Sequence, residues 1–174
     1  MTTRVYLALL ALLAFERLRE LRRSRRNTRR LLAEGAVEYG RRHYPIMVAL
    51  HSLLFVACIA ERLIRQPVTP PLVSGAALLG LAGAHALRRA AVRALGGRWT
   101  TRVIVLPRAP LVSRGPYRYL RHPNYLAVAV EVACIPLAGG CVVTAVLFSA
   151  ANALLLRARI AVEERALGLA HAHA

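Results

Sequence analysis

Between Gly115 and Leu137 the chain reads GPYRYLRHPNYLAVAVEVACIPL. Three tyrosines (Tyr117, Tyr119 and Tyr125), two arginines (Arg118 and Arg121) and His122 stand against an apolar run that itself contains a carboxylate, Glu131. Gly115-Pro116 reads as a turn. Arg121–Asn124 reads as a second turn that starts a helix, because proline is favoured in a helix's first turn. Backbone N–H groups at such a start can hold a polar ligand. The bland alternative is an interfacial belt of tyrosine and arginine. An intramembrane carboxylate is a functional candidate by default, so Glu131 either lines a substrate cavity or bonds a neighbouring helix.

A second cluster follows: Asn152, Arg157, Arg159, Glu163 and Glu164. Arg159 and Glu163 are four apart and share a helical face. Between the clusters lies PLAGG (Pro136–Gly140), which leaves room only for a tight turn. The apolar segments on either side of it should therefore form an antiparallel hairpin. That hairpin returns Arg159 and Glu163 to the level of His122 and Tyr125, making two walls of one site.

The elements that position these walls follow from composition. The chain has 174 residues, enough for one domain, and 57% are hydrophobic with a mean hydropathy of +0.45. Soluble domains run at about 45–50%. There are 25 basic residues, all arginine, against eight glutamates and no aspartate. No aspartyl nucleophile, Asp-based metal site or Ser-His-Asp triad can exist, and no metal centre is expected. The arginines come in blocks between apolar runs, which favours a membrane protein over a nucleic-acid binder. Cys58, Cys134 and Cys141 sit in apolar stretches without a CxxC pair and read as small buried hydrophobes.

Five apolar segments emerge: Val5–Phe15, Pro45–Ala60, Pro71–Leu87, Tyr125–Ile135 and Cys141–Leu156. The first reads as a retained helix, since no small-residue cleavage site follows it. A full span needs about 20 residues, so several segments must be lengthened by their flanks, tilt or insert partway. RQPVTPP (Arg65–Pro71) breaks the second from the third, because proline cannot continue a helix. Small residues at Gly75, Ala76, Gly80 and Gly83 suit close helix packing. Ten arginines lie in Glu16–Tyr44 and nine in Arg88–Arg121, while RQPVTPP carries one and PLAGG none. The positive-inside rule then puts both long loops and the C-terminus in the cytoplasm. Five crossings with the N-terminus outside satisfy every loop. Glu16–Leu32 reads as a solvated helix extension that meets anionic headgroups. The expected fold class is all-α, a single polytopic membrane domain (1–174) without a Rossmann unit. Its N-terminal three helices fill 1–97, and the C-terminal hairpin region fills 98–174.

GPYRYLRHPNY, followed by a hairpin and RARIAVEERAL (Arg157–Leu167), resembles the isoprenylcysteine carboxyl methyltransferase family of integral-membrane enzymes. The likeness covers about Arg98 to Leu167, and RHPxY with a downstream R-x3-EE is a specific pairing. EYGRRHYPIMVALH (Glu38–His51) is similar to short bacterial members that accompany type III polyketide synthases and O-methylate alkylpyrones. A more distant likeness is to phospholipid N-methyltransferases. The resemblance implies S-adenosylmethionine as methyl donor, bound without a Rossmann domain at the cytoplasmic end of the last helices of a bacterial inner-membrane protein. It puts cofactor contacts on Leu111, Val112, Tyr117, His122, Pro123, Asn124, Tyr125 and Glu163, and the substrate-facing arginine on Arg159. Upstream, where the family offers a polar residue, this chain has Arg102, and Ala109-Pro110 precede Leu111.

These roles are chemically sound. In-line displacement at a sulfonium needs three aligned atoms, and holding them supplies much of the rate. Glu163 suits the donor's ammonium. Arg159 suits an anionic oxygen, because guanidinium stays charged and forks onto oxyanions. A carboxylate or acidic pyrone enol is already ionised at neutral pH, so no general base is required. Glu131, His51 and Asn152 are the candidate substrate-side residues. His43 and His51 could share a helical face, and His85 reads as interfacial. Trp99 reads as a membrane anchor or, second, as a cofactor-side wall. His171 and His173 read as a frayed tail. The expected partners are a lipophilic acceptor and membrane lipid. Two other readings stay open: a related NADPH-dependent membrane reductase, and a non-catalytic membrane protein that recruits anionic lipid.

Overall fold

A computed structural model of the protein describes residues 1–168; His171 and His173 lie outside them. Five helices dominate: α1 (Thr3–Ala33), α2 (His43–Arg65), α3 (Pro71–Leu95), α4 (Pro123–Ala138) and α5 (Val142–Ala166). Each covers one of the apolar segments, α5 starting one residue later than expected with Cys141 as its cap, and each runs on past the segment's C-terminal end. Two three-residue strands, β1 (Val37–Tyr39) and β2 (Val103–Val105), pair antiparallel with Glu38 opposite Ile104. The helical expectation holds, and this short ribbon is an addition to it. Each strand is too short to show a period of two, and pairing across more than sixty residues, not local pattern, makes it.

Helix α1 starts at Thr2, whose hydroxyl accepts from the Val5 N–H at 3.4 Å. Tyr6, Leu10 and Leu13, at helical spacing, face the core with Leu54, Cys58, Leu81, Val132 and Ile135. The arginine-rich half of α1 is not wholly solvated, as the extension reading had it. Its Ser24 hydroxyl lies 2.8 Å from the Thr101 hydroxyl, and Asn27 donates to the Trp99 carbonyl at 2.7 Å. One polar face is thus stapled to the segment before β2, leaving most arginines outside.

The α4–α5 hairpin turns at Gly139–Cys141. Pro136 is carried inside α4's last turn, so the helix runs two residues beyond the proline. Gly139 is required by contact: a Cβ there would sit 2.4 Å from the Tyr6 ring. Gly80 lets α3 approach α4, since a Cβ there would lie 2.8 Å from Cys134 Sγ. Gly75 and Gly83 have nothing within 4 Å, so of the three glycines in α3 only Gly80 serves close packing. At this end Arg62, 7% exposed, donates to the carbonyls of Met1, Pro67 and Gly139 at 2.8–2.9 Å. Glu61 accepts from the Thr144 N–H at 2.8 Å and so caps α5. A carboxylate there also complements the helix dipole.

The outer surface is apolar to a degree that water does not favour. Leu12, Phe15, Leu53, Val56, Ile64, Leu79, Val146 and Leu154 are all exposed. Large apolar side chains exposed in this number on four helices suit a surface covered by something other than water. Among the described residues two helices, α2 and α5, are long and apolar enough to cross a membrane, and α4 is a shorter apolar helix. The three cysteines are free, with Cys58 and Cys141 buried as expected.

Candidate functional site

One cavity of about 760 Å³ runs from the 98–113 segment down between the helices. Its upper wall is built by the start of α4 and the end of α5. Pro123 is the first residue of α4 and His122 its cap position, as proline at a helix start dictates. From that start Tyr125 donates its O–H to the Glu163 carboxylate. His122 Nε2 lies 3.1 Å from Glu164 Oε1. The hairpin therefore brings the two sequence clusters together at one level, as its tight turn requires.

Arg159 stands one turn below Glu163 and is 4% exposed. Its Nη2 donates to the Thr101 carbonyl at 2.9 Å, and its guanidinium lies 5.8 Å from the centre of the Tyr125 ring. Its Nε is buried with no protein partner. Asn152, two turns deeper on α5 and 1% exposed, likewise has an unpartnered Oδ1. Buried polar atoms are normally bonded, so these two mark where a polar ligand would be held. Tyr117 belongs to the short 3-10 turn Gly115–Arg118. Burial, with the Glu163 charge behind it, pushes its phenol well above the usual tyrosine range, so it remains a proton donor at neutral pH.

Below this polar wall the cavity is crossed by an ion network. Glu131, 4% exposed, accepts from Arg88 Nε at 3.2 Å and Nη2 at 3.0 Å. It also accepts from Arg17 Nη2 at 2.9 Å. Arg88 reaches on to Asn124 Oδ1 at 3.4 Å and Glu20 at 3.6 Å. Glu131 thus does both things considered for it: it lines the cavity and ties α4 to α3 and α1. Farther down the lining turns apolar, with Leu18, Phe55, Val132 and Ile135.

Leu111, Val112, Tyr117, His122, Asn124, Tyr125, Glu163, Arg159, Glu131, His51 and Asn152 all line this cavity. Pro123 does not: it is buried within the first turn of α4, where it shapes the helix start. Trp99 lines it, and at 1% exposure its ring is inside the fold and not at a membrane surface. The anchor reading is thereby overturned. Its flanking ThrThrArg sequence gave no sign of burial, which comes from Asn27 holding the Trp99 carbonyl. Arg102 also lines the cavity. Its guanidinium binds Glu38 at 2.9 Å and covers the Tyr44 ring at 4.4 Å, so its charge is already engaged. His43 is not among the lining residues, and His85, with a side chain 15% exposed, faces Glu16 at 3.5 Å. The partners of Glu131 were the residues missed. Arg17 and Arg88 sit in arginine blocks where nothing separates the inward-facing members from the rest.

Residues 76–169 match the isoprenylcysteine carboxyl methyltransferase (ICMT) family. The chain is 39% identical over 143 residues to the uncharacterized protein YpbQ of Bacillus subtilis (strain 168), covering 81% of this chain and 83% of that one. It is 29% identical over 140 residues to an uncharacterized protein of Haemophilus influenzae (strain ATCC 51907 / DSM 11121 / KW20 / Rd), covering 80% and 81% respectively. No solved structure matches the chain.

Proposed function

Because the chain belongs to the isoprenylcysteine carboxyl methyltransferase family, we propose that it is a membrane O-methyltransferase that uses S-adenosylmethionine. In this reading it methylates an oxygen of a lipophilic acceptor such as an alkylpyrone. The observation that carries the reading is the division of one cavity into a polar wall and an apolar lower half. Its volume falls in the range of about 300–1,000 Å³ usual for small-molecule sites.

The residues present fit the donor. Glu163 would take the ammonium in a charge-assisted bond, held in place by the Tyr125 hydroxyl. His122, Asn124 and Tyr117 would contact its polar parts, and Leu111 and Val112 would cover its apolar ones. When bound, S-adenosylmethionine supplies an electrophilic methyl group on a sulfonium. Arg159, buried with Nε unpartnered, would hold the acceptor oxygen in line. Fixing that geometry is the main catalytic contribution such a site makes, and the low-dielectric lining favours a charge-neutralising attack. The acceptor's alkyl tail would lie along Leu18, Phe55 and Val132, entering sideways from lipid.

In the same reading the chain crosses the bacterial inner membrane five times, N-terminus outside, with the donor site at the cytoplasmic face. The arginine distribution supports that orientation. A type III polyketide synthase would be the pathway neighbour that makes the acceptor. The test is a pair of variants assayed by calorimetry and turnover. Glu163→Ala should abolish donor binding, whereas Arg159→Ala should keep donor binding and lose turnover. Unimpaired methylation by both variants refutes the site, and saturable NADPH binding without S-adenosylmethionine binding refutes the reaction class.

A further inference from the structure

His51 is the one imidazole on the cavity wall below the Glu163 level among the described residues. Its Nδ1 lies 2.8 Å from the Met47 carbonyl, which can only accept. Nδ1 therefore carries the proton in the neutral ring, and Nε2 is left with a free lone pair. No described residue bonds Nε2.

The packing of α2 on α5 sets the depth of this lone pair. Just ahead of α2, Gly40 lies against Val162, since a Cβ there would be 3.1 Å from Val162 Cγ1. At the other end Glu61 bonds Thr144, so the two helices run antiparallel. Eleven residues beyond Gly40 is His51, and eleven before Val162 is Ala151. His51 and the unpartnered Asn152 therefore share a level, about 10 Å along the helix from Arg159 at 1.5 Å per residue. Side chains lean toward the N-terminus of their own helix, so on antiparallel helices Arg159 and His51 lean toward each other. Around them, Arg17 and Arg88 are engaged by Glu131 and Glu20. The Arg159 Nε donor, the His51 Nε2 acceptor and the Asn152 Oδ1 acceptor are thus left without a protein partner at this level, and Trp99 Nε1 is a further unpartnered donor on the cavity wall.

We propose that His51 Nε2 takes the proton of a hydroxyl acceptor, with Asn152 hydrogen-bonding the same head group. This rests on the methyltransferase reading and deepens it: the acceptor need not arrive ionised. In the step, the acceptor O–H bond breaks and its proton moves to Nε2, giving an imidazolium. The oxygen's electron pair forms the new O–CH₃ bond, and the C–S pair stays on sulfur as a neutral thioether. The imidazolium then loses its proton to water.

The test uses the full chain in nanodiscs and two long-chain probes, a 4-alkylphenol and its ring-nitrated analogue. Without donor, absorbance reads the ionised fraction of the bound nitrophenol. Wild type should raise this fraction, and His51→Gln should lower the phenolate-to-phenol ratio about tenfold. With donor, His51→Gln should slow the alkylphenol about 100-fold, the contribution typical of a general base. Imidazole added to His51→Ala should restore part of that rate, and the ionised nitrophenol should be slowed little by either variant. Equal losses on both probes, or an unchanged absorbance, overturn the proposal. So does methylation by wild type of a fatty carboxylate but of neither phenol, which leaves the methyltransferase reading standing. Absence of S-adenosylmethionine binding, measured separately by calorimetry, removes both.

Discussion

Replacing Glu131 with alanine strips the shared carboxylate from two guanidinium groups inside the fold. The Arg88–Glu131 pair is bidentate, with side chains only 9% and 5% exposed. Removing one partner of such a buried pair costs about 3–5 kcal/mol: Arg88 loses its short, bidentate carboxylate and keeps only a longer contact with Glu20, at 3.6 Å. Arg17 adds little: its side chain is 24% exposed and keeps Glu20, and a pair that open to solvent contributes about 0–1 kcal/mol. A loss of about 4 kcal/mol follows, or roughly 10 °C in Tm for a chain of this length. The assay is thermal unfolding in detergent followed by tryptophan fluorescence. Trp99 is the sole tryptophan, and its buried ring lines the same cavity. Removing both charges in Glu131→Leu/Arg88→Met should recover most of the loss, since a packed apolar pair can replace a buried ion pair. A fall in Tm below about 2 °C for Glu131→Ala would refute the account, as would a double variant no better than the single one.

Three further outcomes are expected. Arg62→Ala should cost about 1–3 kcal/mol by chemical denaturation, the cost of leaving the buried Gly139 carbonyl without its donor. Arg62→Lys should recover only part, because an ammonium cannot reproduce the guanidinium fork. Gly139→Ala should cost about 1–3 kcal/mol, as overpacking does, and combining it with Tyr6→Ala should relieve the clash seen in thermal melts. Tyr125→Phe removes the hydroxyl that holds Glu163 but keeps the ring beside Arg159. Donor affinity by calorimetry should fall about tenfold, in keeping with a bond to a charged group, while turnover at saturating donor persists.

The helices were legible because apolar runs, prolines and glycines are local signals. RQPVTPP ends α2 and starts α3 at the prolines, and PLAGG forces a turn too short for anything but a hairpin. The pairing of Tyr125 with Glu163 follows from that turn, since an antiparallel hairpin returns residues nearly forty apart to one level. The ribbon of Val37–Tyr39 with Val103–Val105 was not legible, because three residues on each side carry no period. Trp99 was misread for a related reason. Its burial comes from Asn27, a residue more than seventy positions earlier that falls among arginines on α1.

The sequence by itself determined the five helices, their turns, the meeting of the two polar clusters and the surplus of arginine over carboxylate. Those properties depend on neighbours within a few residues or on composition. Only the tertiary structure decided which arginines face inward, because Arg17 and Arg88 look no different from Arg19 and Arg89 until Glu131 is brought between them. It also decided which buried polar atoms go unpartnered. Satisfaction of a hydrogen bond is a property of what stands opposite, and at Arg159 and Asn152 what stands opposite is the cavity.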